Sequence, residues 1–192
     1  EEVSPTTAAH VADSLGPFAD DLLVLDGGPC DVGLESTVVD VTVDPPQVLR
    51  PGMVTLEMLR AVVPGVEEGT GEGAGVARAP GQRARHYAPK APVALVPLRE
   101  VPTFAYRPGD ALLWRVVWPG DRLARVTDPA RVVQVCMPRL ARDYAAALYD
   151  ALRRVDQPGV TRIVVEAPPR GDGWRAIHDR LRRAATREEE TA

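Results

Sequence analysis

Cysteine is almost absent from this chain, and the two that occur, Cys30 and Cys136, stand far apart with no CxxC spacing. A disulfide framework or a zinc site is therefore not expected, and a reducing cytosol is the default compartment. No His/Cys/Asp cluster has metal-ligand spacing, so no protein-held metal is predicted. Long apolar runs are also missing: nothing approaches a membrane span, and no charged-then-apolar leader opens the sequence. Positive charge is not in excess. A formal net charge of -4 argues against non-specific nucleic-acid binding by bulk electrostatics, although a local basic groove stays open as a possibility.

What is present describes a globular α/β protein. The 192 residues are 45% hydrophobic and 26% charged, enough for one large domain or two small ones. There is no initiator Met, and Ser4-Pro5-Thr6-Thr7 runs straight into a helix-start signal, which reads as the start of a fragment or a trimmed chain. Thr6 or Thr7 is placed to cap a short helix carrying Ala9, Val11, Ala12 and Leu15 and ending at Gly16. Leu22-Leu23-Val24-Leu25 then predicts a buried strand closed by Asp26-Gly27-Gly28. Ser36 to Val43 has strong β-propensity, and Asp44-Pro45-Pro46 turns it into Gln47-Val48-Leu49-Arg50, giving a hairpin. Thr55 caps a helix with Leu56, Leu59, Val62 and Val63 on one face.

From residue 65 to 92 the composition turns to Gly, Glu, Arg and Pro without periodicity, which predicts an interdomain linker. Its run Gly69-Thr70-Gly71-Glu72-Gly73-Ala74-Gly75 lacks the leading strand, following helix and Gly-Lys-Ser/Thr ending of a phosphate loop. Beyond it, Val93–Val96, Ala111–Trp114, Val132–Val135 and Arg162–Glu166 predict continuous apolar strands. They alternate with a helix over about Leu140–Val155, and a last helix follows Gly173. That alternation predicts a parallel sheet.

Four polar groups, Glu35, Ser36, Thr37 and Arg50, sit where apolar strands start and stop, the usual place for a binding site held by a rigid sheet. Ser36 and Thr37 are either a strand start with hydroxyls satisfied locally or part of a binding site at the sheet edge. Arg50, fixed between a strand and Pro51-Gly52, suits a phosphate or carboxylate, the alternative being a surface ion pair. His86-Tyr87, beside Arg78, Arg83 and Arg85, could meet a phosphorylated ligand or merely dock the linker. His10 and His178 stand singly on helices, and Arg180-Leu181-Arg182-Arg183 reads as a solvated basic face near a helix C-terminus.

Taken together, Ser4-Pro5-Thr6-Thr7, Leu25-Asp26-Gly27-Gly28-Pro29-Cys30, Gly33-Leu34-Glu35-Ser36-Thr37-Val38-Val39-Asp40 and Leu49-Arg50-Pro51-Gly52 resemble the threonylcarbamoyl-AMP synthases with a YrdC-like domain. Pro80-Gly81 leading to His86-Tyr87-Ala88-Pro89 is similar to the interdomain loop of the long, two-domain form, and Trp174 to Ala184 is similar to its last helix. The resemblance implies an α/β fold: a partial YrdC-like α/β domain over 1–64, a linker over 65–92, and a small Rossmann-like parallel-sheet domain over 93–192 with a short charged tail. It implies an enzyme that uses L-threonine, bicarbonate and ATP with magnesium to make threonylcarbamoyl-AMP and pyrophosphate in the cytoplasm, for transfer to tRNA by other modification proteins. No membrane contact and no strong direct nucleic-acid contact are implied. Carried over residue by residue, Ser4 and Arg50 would contact ATP, Ser36 the threonine, and Tyr87 would reach from the linker over the nucleotide; no catalytic side chain and no protein metal ligand is assigned.

Three departures from the family pattern bear on these expectations. The family's upstream Lys/Arg motif and Ser-Ala-Asn segment do not occur in this chain, so the chain on its own is expected to be inactive. Gln82 and Ala84 replace a Met and a bulkier residue in the loop, and His178 replaces an Asn. The rival reading is a non-catalytic RNA-binding or regulatory module with a YrdC-like surface. The linker's position suggests that the C-terminal domain positions the closing loop.

Overall fold

Parallel strands need cover on both faces, and the C-terminal half supplies it. In the computed structural model, which describes residues 2–19, 21–69, 87–115 and 133–185, four strands pair in parallel in the order β4-β7-β5-β6. These are β4 (Val93–Val96), β5 (Asp110–Trp114), β6 (Val133–Cys136) and β7 (Arg162–Glu166). Alternate side chains of the central strands divide between two clusters. Ala111, Leu113, Ile163 and Val165 face the main core, while Leu112 and Val164 face a smaller one with Val96 and Val101. The register of β5 against β7 begins at Asp110 and Arg162, where Arg162 Nε donates to Asp110 Oδ1 at 2.9 Å.

Two helices cover the main core. Helix α3 (Ala141–Val155) buries Tyr144, Ala145, Leu148, Tyr149, Ala151, Leu152 and Val155, the spacing of a single helical face. Helix α4 (Arg175–Ala185) buries Ala176, Ile177, Leu181 and Ala184 on the same principle. The predicted parallel α/β arrangement is therefore present, with a one-turn 3-10 segment (Asp172–Trp174) leading into α4.

The N-terminal half is thinner. Helix α1 (Ala8–Leu15) is capped by Thr7, whose hydroxyl accepts the His10 N–H at 3.2 Å. Strands β1 (Val38–Asp40) and β2 (Gln47–Arg50) form the predicted hairpin. The strand is shorter than its propensity suggests because Asp40 Oδ1 accepts both the backbone N–H and the hydroxyl of Thr42, at 2.9 and 2.6 Å, and bends the chain there. A two-residue strand, β3 (Glu67–Glu68), adds in parallel to β2. Helix α2 (Leu56–Val62) is capped by Thr55 as expected, but neither α1 nor α2 buries a residue.

The buried strand expected at Leu22–Leu25 is not there. The segment takes no strand pairing, and Leu23 and Leu25 remain 81% and 86% exposed. An apolar run becomes a strand only when another strand completes its hydrogen-bond ladder, and no described segment does so.

Two close approaches join the halves. Val3, Leu34 and Tyr87 are buried in the same core as α3, α4 and the sheet. Gly33 makes this possible: its φ is +72°, and a Cβ there would lie 2.5 Å from the Ala146 carbonyl oxygen and 2.8 Å from that of Ala145. The linker readings at 70–86, including the glycine run, Arg78, Arg83, Arg85 and His86, lie outside the described residues, as do 116–132 and the tail from 186. Among the described residues no helix is long and apolar enough to cross a membrane, and both cysteines are free thiols.

Candidate functional site

Glu35 lies at the centre of the polar contacts between the halves. Ser4 Oγ donates to its Oε1 at 2.7 Å. On the other oxygen, Tyr149 OH donates to Oε2 at 3.0 Å and Arg180 Nε at 2.8 Å. Burial raises the carboxyl pKa, but the Arg180 and Ser4 hydrogen bonds and the Arg180 charge outweigh it, holding Glu35 below its ordinary value. Tyr149 is pushed far up, first by burial and then by the Glu35 charge, so its hydroxyl keeps its proton and donates.

Arg180 corrects the reading of a solvated basic face. Its side chain has no exposed surface. Besides Glu35, Nη1 donates to Asp179 Oδ2 at 2.6 Å and Nη2 to the Pro51 carbonyl at 3.2 Å, and its Cζ stands 5.2 Å from the centre of the Tyr87 ring. Burial alone would lower its pKa, yet the Glu35 hydrogen bond and the neighbouring negative charge raise it, so the guanidinium stays charged. Arg182, by contrast, is solvated as expected, with its side chain 77% exposed.

The hairpin places Ser36 and Arg50 side by side. Arg50 Nε donates to the Ser36 carbonyl at 3.0 Å and Nη2 reaches Ser36 Oγ at 3.4 Å. Gly52 permits the approach, since a Cβ there would lie 2.7 Å from the Ser36 carbonyl carbon and against the Thr37 amide. Thr37 takes the local-satisfaction role, its hydroxyl donating to the Val54 carbonyl at 2.7 Å, while Ser36 is exposed.

Tyr87 completes the set from the far end of the linker. It is buried, with φ at +59°, a left-handed conformation that is strained for a bulky residue. Its ring stacks on Tyr149 at 5.7 Å and 29° between planes, and its hydroxyl lies within hydrogen-bonding reach of Arg50. Burial and then the Glu35 charge raise its pKa.

The four residues singled out in the sequence thus converge: Ser4 on Glu35, Ser36 and Arg50 on each other, and Tyr87 on Arg50. Sequence reasoning placed Glu35 among the strand-end polar groups without giving it a partner and read Arg180 as part of a solvated face. It did not single out Tyr149 or Arg153, the latter of which donates to the Val3 carbonyl and, at 2.9 Å, to Ser14 Oγ. The sequence signal for Glu35 was its place at a strand end beside Ser36; Arg180 sat in a run that looks solvated. The single histidines are structural. His10 Nε2 stands 3.4 Å from Asp150, and His178 Nε2 is 2.9 Å from the Pro169 carbonyl. No cluster of three or more metal-binding side chains occurs among the described residues.

A groove of about 620 Å³ opens on the other flank of Pro51-Gly52, lined by Arg170, Arg175, Arg182 and Arg183 among others. Three of these arginines already face acids, Arg175 with Glu68 and Asp172, and Arg182 and Arg183 with Asp179. The groove is thus largely neutralised from within.

Comparison with known proteins gives a consistent result. Residues 54–186 match the family model described as "Threonylcarbamoyl-AMP synthase, C-terminal domain", and residues 1–52 match one described as "Telomere recombination". The chain is 35% identical to the threonylcarbamoyl-AMP synthase of Bacillus subtilis and 32% identical to that of Pyrococcus abyssi, over 95% of this chain in each case. Only 53% and 54% of those relatives are covered, so the chain spans about half the length of the curated relatives it matches. Among solved structures, P. abyssi Sua5 complexed with L-threonine superposes with a TM-score of 0.77 at 29% identity, over 96% of this chain and 54% of that one. A variant of the same protein with an adjacent His and Tyr both changed to Ala gives 0.75 at 28% identity, with the same coverage.

Proposed function

Because the chain belongs to the threonylcarbamoyl-AMP synthase family, as the match over residues 54–186 shows, we propose that it is part of an enzyme making threonylcarbamoyl-AMP and pyrophosphate from L-threonine, bicarbonate and ATP. The observation that carries this reading is the convergence of Ser4, Ser36, Arg50 and Tyr87, drawn from separate parts of the chain, around the pair of half-buried Glu35 and fully buried Arg180. In this reading residues 1–64 belong to the catalytic domain, 65–92 to the linker and 93–192 to a sheet domain that supports both. The protein works in the cytoplasm and takes ATP as its magnesium complex. Its product passes to tRNA-modification proteins.

The chemistry divides among the residues as follows. Threonine's amine condenses with bicarbonate, losing water, to give a carboxylated amino acid, whose new carboxylate attacks the α-phosphorus of ATP as pyrophosphate leaves. Ser36, exposed at the strand start, holds a polar group of threonine. Arg50 is fixed by its own hairpin and keeps its charge toward the phosphates, where negative charge builds on the leaving group. Ser4, bonded to Glu35 beside Ser36, binds the nucleotide from the N-terminal segment. Tyr87 closes over it and excludes water, which would otherwise return the carboxylated intermediate to threonine and bicarbonate. The relative solved with L-threonine supports threonine as the amino acid. The double variant of that protein replaced the same two residue types as His86-Tyr87 here.

The test is pyrophosphate release by this chain extended upstream to the length of its relatives. Release that requires ATP, threonine and bicarbonate together is the expected result. Release without threonine, or none at all, would leave the module reading instead.

A further inference from the structure

The reading above leaves unexplained why the last helix of the sheet domain sends a fully buried arginine into the other half of the molecule. Burying a guanidinium is costly unless every donor is matched. Here the matches fall on three segments at once: the Glu35 carboxylate, the Pro51 carbonyl and the face of the Tyr87 ring. Each lies next to, or is, a residue of the proposed site. Glu35 precedes Ser36 and is hydrogen-bonded by Ser4. Pro51 follows Arg50. Tyr87 is the linker residue itself, held in a left-handed conformation that its surroundings must impose.

We propose that Arg180 is the positioning residue of this site, a planar fork that fixes the spacing between the Ser4–Ser36 wall, the Arg50 corner and the Tyr87 cover. This inference rests on the synthase reading and deepens it. Arg180 touches no reactant; it acts through Glu35, Pro51 and Tyr87. Asp179 holds the fork in turn, and Arg183 Nε donates to both Asp179 oxygens at 3.1 and 3.0 Å, so the orientation is built into helix α4. Tyr149 from helix α3 supplies the second support, since it bonds Glu35 and stacks on Tyr87. Lysine cannot reproduce this. A point charge reaches one partner where the fork reaches three, and an ammonium lacks the flat face that lies over Tyr87.

The test uses the chain extended upstream to full length, with Arg180→Lys and, as a control on the same helix, Arg182→Lys. With Arg180→Lys, KM for both ATP and threonine should rise by about tenfold, the cost of a site left slightly misaligned, while the melting temperature stays close to the parent's. Tryptic cleavage at Arg78, Arg83 and Arg85 beside Tyr87 should quicken several-fold, and Arg182→Lys should match the parent in both assays. Kinetic constants and linker cleavage both within twofold of the parent would overturn the proposal, as would losses that merely follow a fall in melting temperature. If the parent itself releases no threonine-dependent pyrophosphate, the synthase reading fails separately. The cleavage assay then decides alone: faster cutting supports Arg180 as the positioner of Tyr87, and unchanged cutting overturns it.

Discussion

Around the four-stranded sheet, Leu112, Leu113, Ile163 and Val164 lose all contact with water, whereas around the three-stranded sheet Leu23, Leu25 and Val62 keep most of their surface exposed. The two regions also differ in how they are held. The larger sheet is closed by two helices whose apolar stripes match its face. The smaller one buries little of its own, and its ordered contacts run outward: Val3 and Leu34 into the other region's core, and Glu35, itself bonded by Ser4, to its helices. Stability in this chain therefore sits in one region and the candidate ligand residues sit mainly in the other. The second borrows its geometry from the first across a polar seam. A binding surface assembled in this way can be altered at the seam without disturbing the core that carries it.

Changes to the core should have the largest effect. Ile163→Ala removes a fully buried strand residue and should cost about 3 kcal/mol in urea unfolding. Leu25→Ser, on the exposed segment, should stay within about 0.5 kcal/mol. Equal effects would erase the distinction between the regions. Gly33→Ala comes next, at about 2 kcal/mol, because the new methyl would meet the Ala146 carbonyl and the left-handed φ disfavours it. This variant should also loosen the hairpin selectively, raising hydrogen exchange at Val38–Arg50 while the larger sheet stays protected.

Acid should act at the seam in a smaller and graded way. The folded pKa of Glu35 lies below its ordinary value of 4.5. The stability it contributes is therefore complete above pH 4.5 and is lost as pH falls through the lower folded value. Glu35→Gln should flatten that part of the stability-pH curve, and an unchanged curve would remove Glu35 from the account.

The sequence made the local structure legible because the causes are local. Thr7 and Thr55 cap their helices within three residues, the Pro45-Pro46 turn specifies its hairpin, and continuous apolar runs mark strands covered on both faces. The same rule misplaced Leu22–Leu25, where apolar character was present but a pairing partner was not. Ser4, Ser36, Arg50 and Tyr87 were visible through motif and resemblance. Arg180 was not, since its bond to Glu35 spans 145 positions, and a charged run at the end of a helix looks the same in sequence whether it faces water or another segment. Only the packing of α4 against 33–51 separates Arg180 from Arg182.

The seam is tested most directly by a double-mutant cycle on Glu35 and Arg180, with Glu35→Gln, Arg180→Met and the pair compared in urea unfolding. The hydrogen-bonded geometry, with Arg180 fully buried and Glu35 half-buried, predicts a coupling of about 2 kcal/mol, with the double variant more stable than the sum of the single losses implies. Losses that add to within about 0.5 kcal/mol would contradict it, and with it the claim that the candidate site is held from the C-terminal helices.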